Sequence, residues 1–443
     1  MAAHITHSFS KIAIFGAGLS GRAAYQRAIS LGIRCVVDDD QIKAHDAIAP
    51  QDFIAWQEWD FASLDALILS PGIAHHHPAP HAVAKAAQAK NVEIISEVEF
   101  GLRTGEWGKL VVITGTNGKS TTTALTGHLL QEAGLTVAIG GNLGTPLCAF
   151  DGTDSNAITV LELSSYQLET TPSLAPHITA LLNITPDHLD RHGGLEGYID
   201  AKRKSIAACG AGALALIGND GAIMRDMIDW AKQSLSADIQ EISATSLGEI
   251  TLTNPYLAGA HNAQNAAFAV AIAKAFDVDE AVIEAGLACF VGLAHRLQPV
   301  GNHGGHYFVN DSKATNGDAT AKALGAYQNI IWLAGGMAKA DGLQACQDYF
   351  SPIQRAHFFG QCAPDFYDQA HAYFPCTTHE TIDEAFQAAV TDLPDEAVIL
   401  LSPAAASFDQ FDNFGARGRH FEKLAHAYIA QATDTKKEVC HVR

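Results

Sequence analysis

The chain has 443 residues, too many for one typical core, and its 48% hydrophobic and 17% charged content excludes a disordered protein. A formal net charge of -20 argues against nucleic acid as a partner, because a phosphate backbone would be repelled over most of the surface. The eight cysteines are scattered without a C-x-x-C pair, no apolar run is long enough for a bilayer, and the start MAAHITHSFSK lacks a signal pattern. A cytoplasmic protein without membrane insertion is expected.

Short apolar runs (KIAIF, RCVVD, ALILS, LVVIT, AITVLEL, ALALIG, NIIWLAGG, AVILLS) alternate with alanine-rich helical stretches. Runs that are apolar throughout, and not on alternate residues, suit parallel strands covered on both faces, so the predicted class is α/β with doubly wound sheets. Two Gly-punctuated breaks, GLRTGEWGK (101–109) and FVGLAHRLQPVGNHGGHYF (290–308), divide the chain into expected domains 1–98, 99–293 and 294–443.

KIAIF leads into GAGLSG, where Gly16, Gly18 and Gly21 form G-x-G-x-x-G between a strand and a helix. Such a turn points backbone N–H groups at an anion, and Asp38 ends the next strand about where a ribose-binding acid lies in a dinucleotide site. An anionic nucleotide is favoured over a plain packing turn. ALILS runs into SPGIAHHHPAPH (70–81), whose four histidines read as a solvated loop and not as a metal site.

The second phosphate loop, TGTNGKST (114–121), departs from the formal Walker pattern, with Ile113 where the first glycine would stand. Its physics survives: Gly115 and Gly118 expose backbone donors, Lys119 reaches a terminal phosphate, and Ser120 can hold Mg²⁺. ATP is the predicted ligand. A hydride-transfer enzyme would leave this loop idle, and a simple phosphatase would leave GAGLSG idle. Two phosphorylated substrates account for both.

Glu162 ends the apolar run AITVLEL, and a buried lone carboxylate calls for a cation, Mg²⁺ ahead of a basic side chain. ALLNITPDHLDRHGG then presents Asp187, His188, Asp190 and His192; one histidine near a phosphate-bound Mg²⁺ is favoured over a zinc pair. Lys202, in YIDAKRKSI, has no function by composition. Asn262 and Asn265 share a helix face, where they either grip adenine or phosphate or cap the helix. Three strand-end loops follow: NDSKATN with Asp311, Lys313 and Thr315; LAGGMAKADG with Lys339; LSPAAASFDQFDNFGARGRHF with Ser407 and Phe414. Ligands of open α/β sheets bind at the C-terminal ends of strands, so these loops are expected to share a cleft.

Taken in order, TGTNGKST, LELSSYQL, PDHLDRH, HNAQN, AHRLQ, NDSKATN and LSPAAASFDQF resemble the Mur ligases of peptidoglycan synthesis, from about residue 11 to about residue 424. NDSKATN and LSPAAASFDQF point within that family to members that add D-glutamate to UDP-N-acetylmuramoyl-L-alanine. The resemblance implies a Rossmann-like N-terminal domain for the UDP-substrate, a central P-loop-type ATPase domain and a C-terminal Rossmann-like domain for the amino acid, in a monomer. It implies amide formation in which ATP phosphorylates a carboxylate and the amine of D-glutamate attacks the acyl phosphate.

Carried over on the same terms, Gly115, Thr116, Asn117, Gly118, Lys119, Ser120 and Thr121 serve ATP, with Asn262, Asn265, Arg296, Asp311 and Lys313 on the nucleotide side. Ser120, Glu162, His188 and Lys202 serve two Mg²⁺ sites, Lys202 as a carbamate; Lys119, His188 and Lys202 carry the chemistry. The UDP-substrate falls to Gly18, Leu19, Ser20, Asp38, Ser70, Gly72 and Asn142, and the glutamate to Thr315, Lys339, Ser407, Phe408 and Phe414. Asp39 and Asp40 depart from the family, because some relatives use a Thr-Arg pair there for uracil. A related ligase adding L-glutamate or using another UDP-muramoyl precursor, an NAD-dependent dehydrogenase and a P-loop switch are the competing readings.

Overall fold

KIAIF, RCVVD and ALILS form strands β1 (Lys11–Phe15), β2 (Arg34–Asp38) and β3 (Ala66–Leu69), joined by β4 (Glu93–Ile95) in a parallel sheet of order β2-β1-β3-β4. Ile12 and Ile14 pack with Ala24, Ala28 and Phe100, while Ala13 and Phe15 pack with Trp59, Leu67 and Val83. Burial on both faces is why these runs show no alternation. The computed structural model describes residues 9–42, 46–142, 144–338 and 342–440, with side chains as far as 431.

A second parallel sheet contains β5 (Lys109–Thr114), β6 (Val137–Gly141), β7 (Ile158–Glu162), β8 (Ile178–Leu181), β9 (Leu214–Gly218) and β10 (Asp238–Ile242), in the order β10-β9-β8-β5-β7-β6. The chain leaves β5 for the β6–β7 side and then crosses to β8 on the other side. Loops diverge at such a switch point and open a crevice beyond the strand ends. Both sheets belong to one compact unit, bounded as Met1–Thr251 with Asn262–Ala288.

The expected connector 101–109 is only half a connector. Ser96 caps the helix Glu97–Thr104 by accepting the Glu99 N–H, and Arg103 bonds both Glu99 and Glu93, so GLRT is the last helical turn. Side-chain capping and ion pairing outweigh the single Gly101.

The other unit comprises Leu252–His261 and Cys289–Arg443. Part of the second predicted break is a hairpin: β11 (Gln298–His303) pairs antiparallel with β12 (His306–Asn310) around Gly304 and Gly305, both at positive φ (61 and 88). That backbone is the two-residue turn that glycines favour. With β13 (Ile330–Gly335), β14 (Met337–Ala338), β15 (Ile353–Phe359), β16 (Cys376–His379), β17 (Val398–Leu401) and β18 (Ala405–Ala406), it builds a sheet of order β11-β12-β17-β13-β15-β16 and a separate β14-β18 pair. Trp332, Phe358 and Phe366 fill one face of the larger sheet; Ile331, Phe386 and Phe421 fill the other. Among the described residues no helix is long and apolar enough to cross a membrane.

Candidate active site

The phosphate loop leaves β5 and enters the helix Lys119–Glu132, with Gly118 at φ +85 as its left-handed N-cap. A side chain on Gly118 would strain the backbone, and its Cβ would lie 2.2 Å from Asn265 Oδ1. The loop is pinned at the switch point. Asn183, just beyond β8, accepts the Thr116 N–H on its carbonyl (2.9 Å) and the Asn117 N–H on its side chain (2.9 Å). Its amide donates back to the Asn117 carbonyl at 3.1 Å. Lys119 folds over the loop and donates to the carbonyls of Gly115 (3.0 Å) and Thr116 (2.8 Å). Ser120 is buried and Thr121 half-buried in the first turn, where N–H groups and the helix dipole favour an anion. The buried pair Asn262 and Asn265, linked by a 3.2 Å bond, covers this turn.

Glu162 ends β7 only 2% exposed. Its Oε1 accepts from Asn142 Nδ2 at 2.9 Å, whereas its buried Oε2 has no hydrogen-bond partner. Such an oxygen suits a cation, and the hard carboxylate and hydroxyl oxygens here suit Mg²⁺. His188 begins the short helix Leu189–His192 in left-handed backbone (φ 51), with its ring 5.3 Å from that of Tyr166 and 3.4 Å from Asp187.

Lys202, which composition left on a helix surface, is 1% exposed. Its Nζ donates to the Gly115 carbonyl at 2.8 Å and lies 4.8 Å from the Tyr198 ring centre. Burial, then the Lys119 charge, push its pKa well below the lysine range; Asp187 and Glu162 oppose this. A lysine so shifted gives up its proton more readily, and the neutral amine is the nucleophilic form.

His192 is no member of a zinc pair: Ser165 Oγ and Glu169 Oε1 each lie 2.9 Å from its ring nitrogens. Nor is the four-histidine loop wholly solvated, because His75 is 7% exposed and sits 3.7 Å from Glu169. The elements that bury both histidines come from distant sequence, so local composition carried no sign of it.

At the first sheet, Gly16 (φ +107) and Gly21 are needed for close approach, to Ser70 and to the Gly16 carbonyl respectively. Gly18 faces open space beside exposed Leu19 and half-buried Ser20, while Gly72 is exposed and Ser70 half-buried. Asp38 is buried and accepts the Trp56 N–H at 3.0 Å. Asp39 accepts the Ala17 N–H of the glycine turn at 2.7 Å, and also those of Gln41 and Ile42.

In the other unit, buried Asp311 accepts from Ser402 Oγ (2.8 Å) and the Leu297 N–H (3.2 Å). Burial pushes its pKa up to about 7, against the lowering by these bonds and by Arg296. Lys313 Nζ lies 3.9 Å from the Phe414 ring centre; Thr315 is half-buried, Ser407 buried and Phe408 exposed. Lys339 lies outside the described residues. Sequence reading missed Arg417, which is fully buried and donates to Ser312, Gly335 and Ala405, tying all three strand-end loops together. Its partners lie 12 to 105 residues away in the chain, so no local pattern marks it.

Residues 113–273 match the Mur ligase middle domain. UDP-N-acetylmuramoylalanine–D-glutamate ligase of Caulobacter vibrioides is 39% identical over 95% of this chain and 96% of its own. That of Agrobacterium fabrum is 38% identical over 93% of this chain and 94% of its own. Among solved structures, MurC of Thermotoga maritima superposes with a TM-score of 0.60 at 16% identity, covering 95% of this chain and 100% of its own. MurF of Acinetobacter baumannii gives 0.57 at 18%, covering 95% and 93%. The structural likenesses establish an α/β fold shared with these two proteins. The chain belongs to the Mur ligase family, in its group of UDP-N-acetylmuramoylalanine–D-glutamate ligases.

Proposed function

We propose that this protein joins D-glutamate to UDP-N-acetylmuramoyl-L-alanine at the expense of ATP, in the making of peptidoglycan precursors. The observation that carries the chemistry is the constellation at one sheet's switch point: Lys119 on the phosphate loop, the partnerless oxygen of Glu162, and Lys202 buried against the same loop. An oxygen of the alanyl carboxylate attacks the γ-phosphorus, the bond to ADP breaks, and an acyl phosphate forms. The glutamate amine attacks its carbonyl carbon, phosphate leaves with the bonding pair, and the amine loses a proton. Lys119 and the loop N–H groups hold the phosphate charge, and Asn142 and His188 orient the muramoyl-alanine end.

Glu162, Ser120 and His188 would hold Mg²⁺, with a carbamate on Lys202 serving a second ion; bound Mg²⁺ neutralises phosphate charge. The first sheet, with Gly18, Leu19, Ser20, Asp38, Ser70 and Gly72, receives the UDP-substrate. Asn262, Asn265, Arg296, Asp311 and Lys313 serve the nucleotide side. Thr315, Lys339, Ser407, Phe408 and Phe414 receive the glutamate, in a cytoplasmic monomer with domains 1–98, 99–293 and 294–443. The test is ADP release over a panel of UDP-muramoyl precursors and amino acids. Release requires UDP-N-acetylmuramoyl-L-alanine with D-glutamate. Equal turnover with L-glutamate removes the stereochemical assignment, and release with neither amino acid removes the ligase reading.

A further inference from the structure

Ser165, His192 and Glu169 form a hydrogen-bonded chain, with Ser165 Oγ to His192 Nε2 and His192 Nδ1 to Glu169 Oε1 both at 2.9 Å. Hydroxyl, imidazole and carboxylate in this order match a nucleophile triad in outline. Burial removes that chemistry. Ser165 is 4% and His192 5% exposed, so no carbonyl can reach the hydroxyl. The tautomer follows from the partners. Burial raises the Glu169 pKa, but the His192 bond and charge outweigh it and hold the carboxylate below its usual range. An ionised carboxylate only accepts, so Nδ1 donates to Glu169 and Nε2 is left to pair with the Ser165 hydroxyl.

The same ring lies between two tyrosines. Tyr166 stacks on it at 5.3 Å and 18°, and Tyr198 meets it at 5.3 Å and 52°. Each tyrosine touches the site. Tyr166 lies 5.3 Å from the His188 ring. Tyr198 places its hydroxyl 3.0 Å from Thr116 Oγ1 of the phosphate loop and its ring face 4.8 Å from Lys202 Nζ. A core histidine that only filled space would not connect with site residues on both sides. The following helix packs closely on it as well, since a Cβ at Gly197 would fall 2.0 Å from the His192 carbonyl.

We propose that His192 is a positioning residue for the ligase reaction: locked in rotation by Ser165 and Glu169, it sets Tyr166 and Tyr198, and through them His188, Lys202 and the phosphate loop. The role rests on the ligase reading above, but its geometry can be read without turnover. Misplacing a phosphate loop by a fraction of an ångström lowers rate far more than it lowers stability.

The experiment compares His192→Phe, which keeps a ring but loses both bonds, with Glu169→Gln, which still accepts from Nδ1, and Glu169→Ala, which does not. The readouts are the melting temperature, kcat and KM for each substrate, and calorimetric binding of a non-hydrolysable ATP analogue. His192→Phe and Glu169→Ala lower kcat about tenfold or more and weaken the analogue several-fold, while KM for D-glutamate stays within about twofold. Glu169→Gln stays within about threefold of the parent in kcat. If His192→Phe does not fold, Ser165→Ala carries the same comparison from the other ring nitrogen. A lowered melting temperature with kcat and analogue affinity unchanged well below it overturns the proposal. Absence of turnover in the parent protein overturns the ligase reading instead, and analogue binding then still decides the role of His192.

Discussion

Lys202 and Lys119 converge on one oxygen, the Gly115 carbonyl, at 2.8 and 3.0 Å. Two ammonium groups on one acceptor repel, and the buried member yields its proton more readily. A neutral amine is the form that attacks CO2, forming an N–C bond, releasing a proton and turning a cation into an anion fit for Mg²⁺. Lys202→Ala therefore loses most activity, and a short carboxylic acid in the buffer restores part of it, as read by phosphate release. Full activity of Lys202→Ala in bicarbonate-free buffer would rule the carbamate out.

Lys119→Ala lowers turnover on the order of 10²–10³-fold or more, because a charge aimed at the transferring phosphoryl group is lost. Affinity for the UDP-substrate, measured by calorimetry without ATP, stays nearly unchanged, since the Lys119 bonds to Gly115 and Thr116 shape the second phosphate loop and not the glycine turn of the first sheet. A large loss of that affinity would show that the two phosphate loops do not divide the work.

Glu162→Gln keeps the acceptor for Asn142 and removes only the charge. The Mg²⁺ concentration for half-maximal activity rises about tenfold, the effect of one lost charge-assisted ligand. An unchanged Mg²⁺ dependence would separate Glu162 from the metal.

These local features were legible in the sequence because the residues that make them are neighbours in the chain. Gly115, Gly118 and Lys119 lie within five positions, and Glu162 stood out as one acid ending an apolar strand. Strands buried on both faces were legible for the same reason. Lys202 was not. A helical lysine reads alike whether solvated or buried, and Gly115, 87 residues away, decides which. Arg417 and the Ser165–His192–Glu169 chain were hidden likewise, because each is made by elements that only folding brings together. The break at 101–109 misled through its glycines, while the capping that kept its first half helical lay upstream at Ser96.

Glu97 gives a pH signature of stability. It is buried, accepts the Cys148 N–H, and leaves Oε2 without a partner. Burial pushes its pKa up to about 7 from 4.5, against the lowering by Cys148 and Arg27. Between these values the folded protein holds a proton that the unfolded chain has released, so this group makes stability fall as pH rises from 4.5 to about 7. Glu97→Gln keeps the acceptor and abolishes the titration. Its unfolding free energy relative to the parent improves between pH 5 and pH 8 by at most about 3 kcal/mol. A difference that does not change with pH would show that Glu97 titrates normally.

The acyl phosphate is tested most directly by following oxygen-18 from the alanyl carboxylate of UDP-N-acetylmuramoyl-L-alanine during turnover with ATP and D-glutamate. Attack of that carboxylate on the γ-phosphorus predicts that one labelled oxygen leaves in each inorganic phosphate and one stays in the amide, both read by mass spectrometry. Phosphate free of label, with amide formed, would contradict the mechanism at its first step.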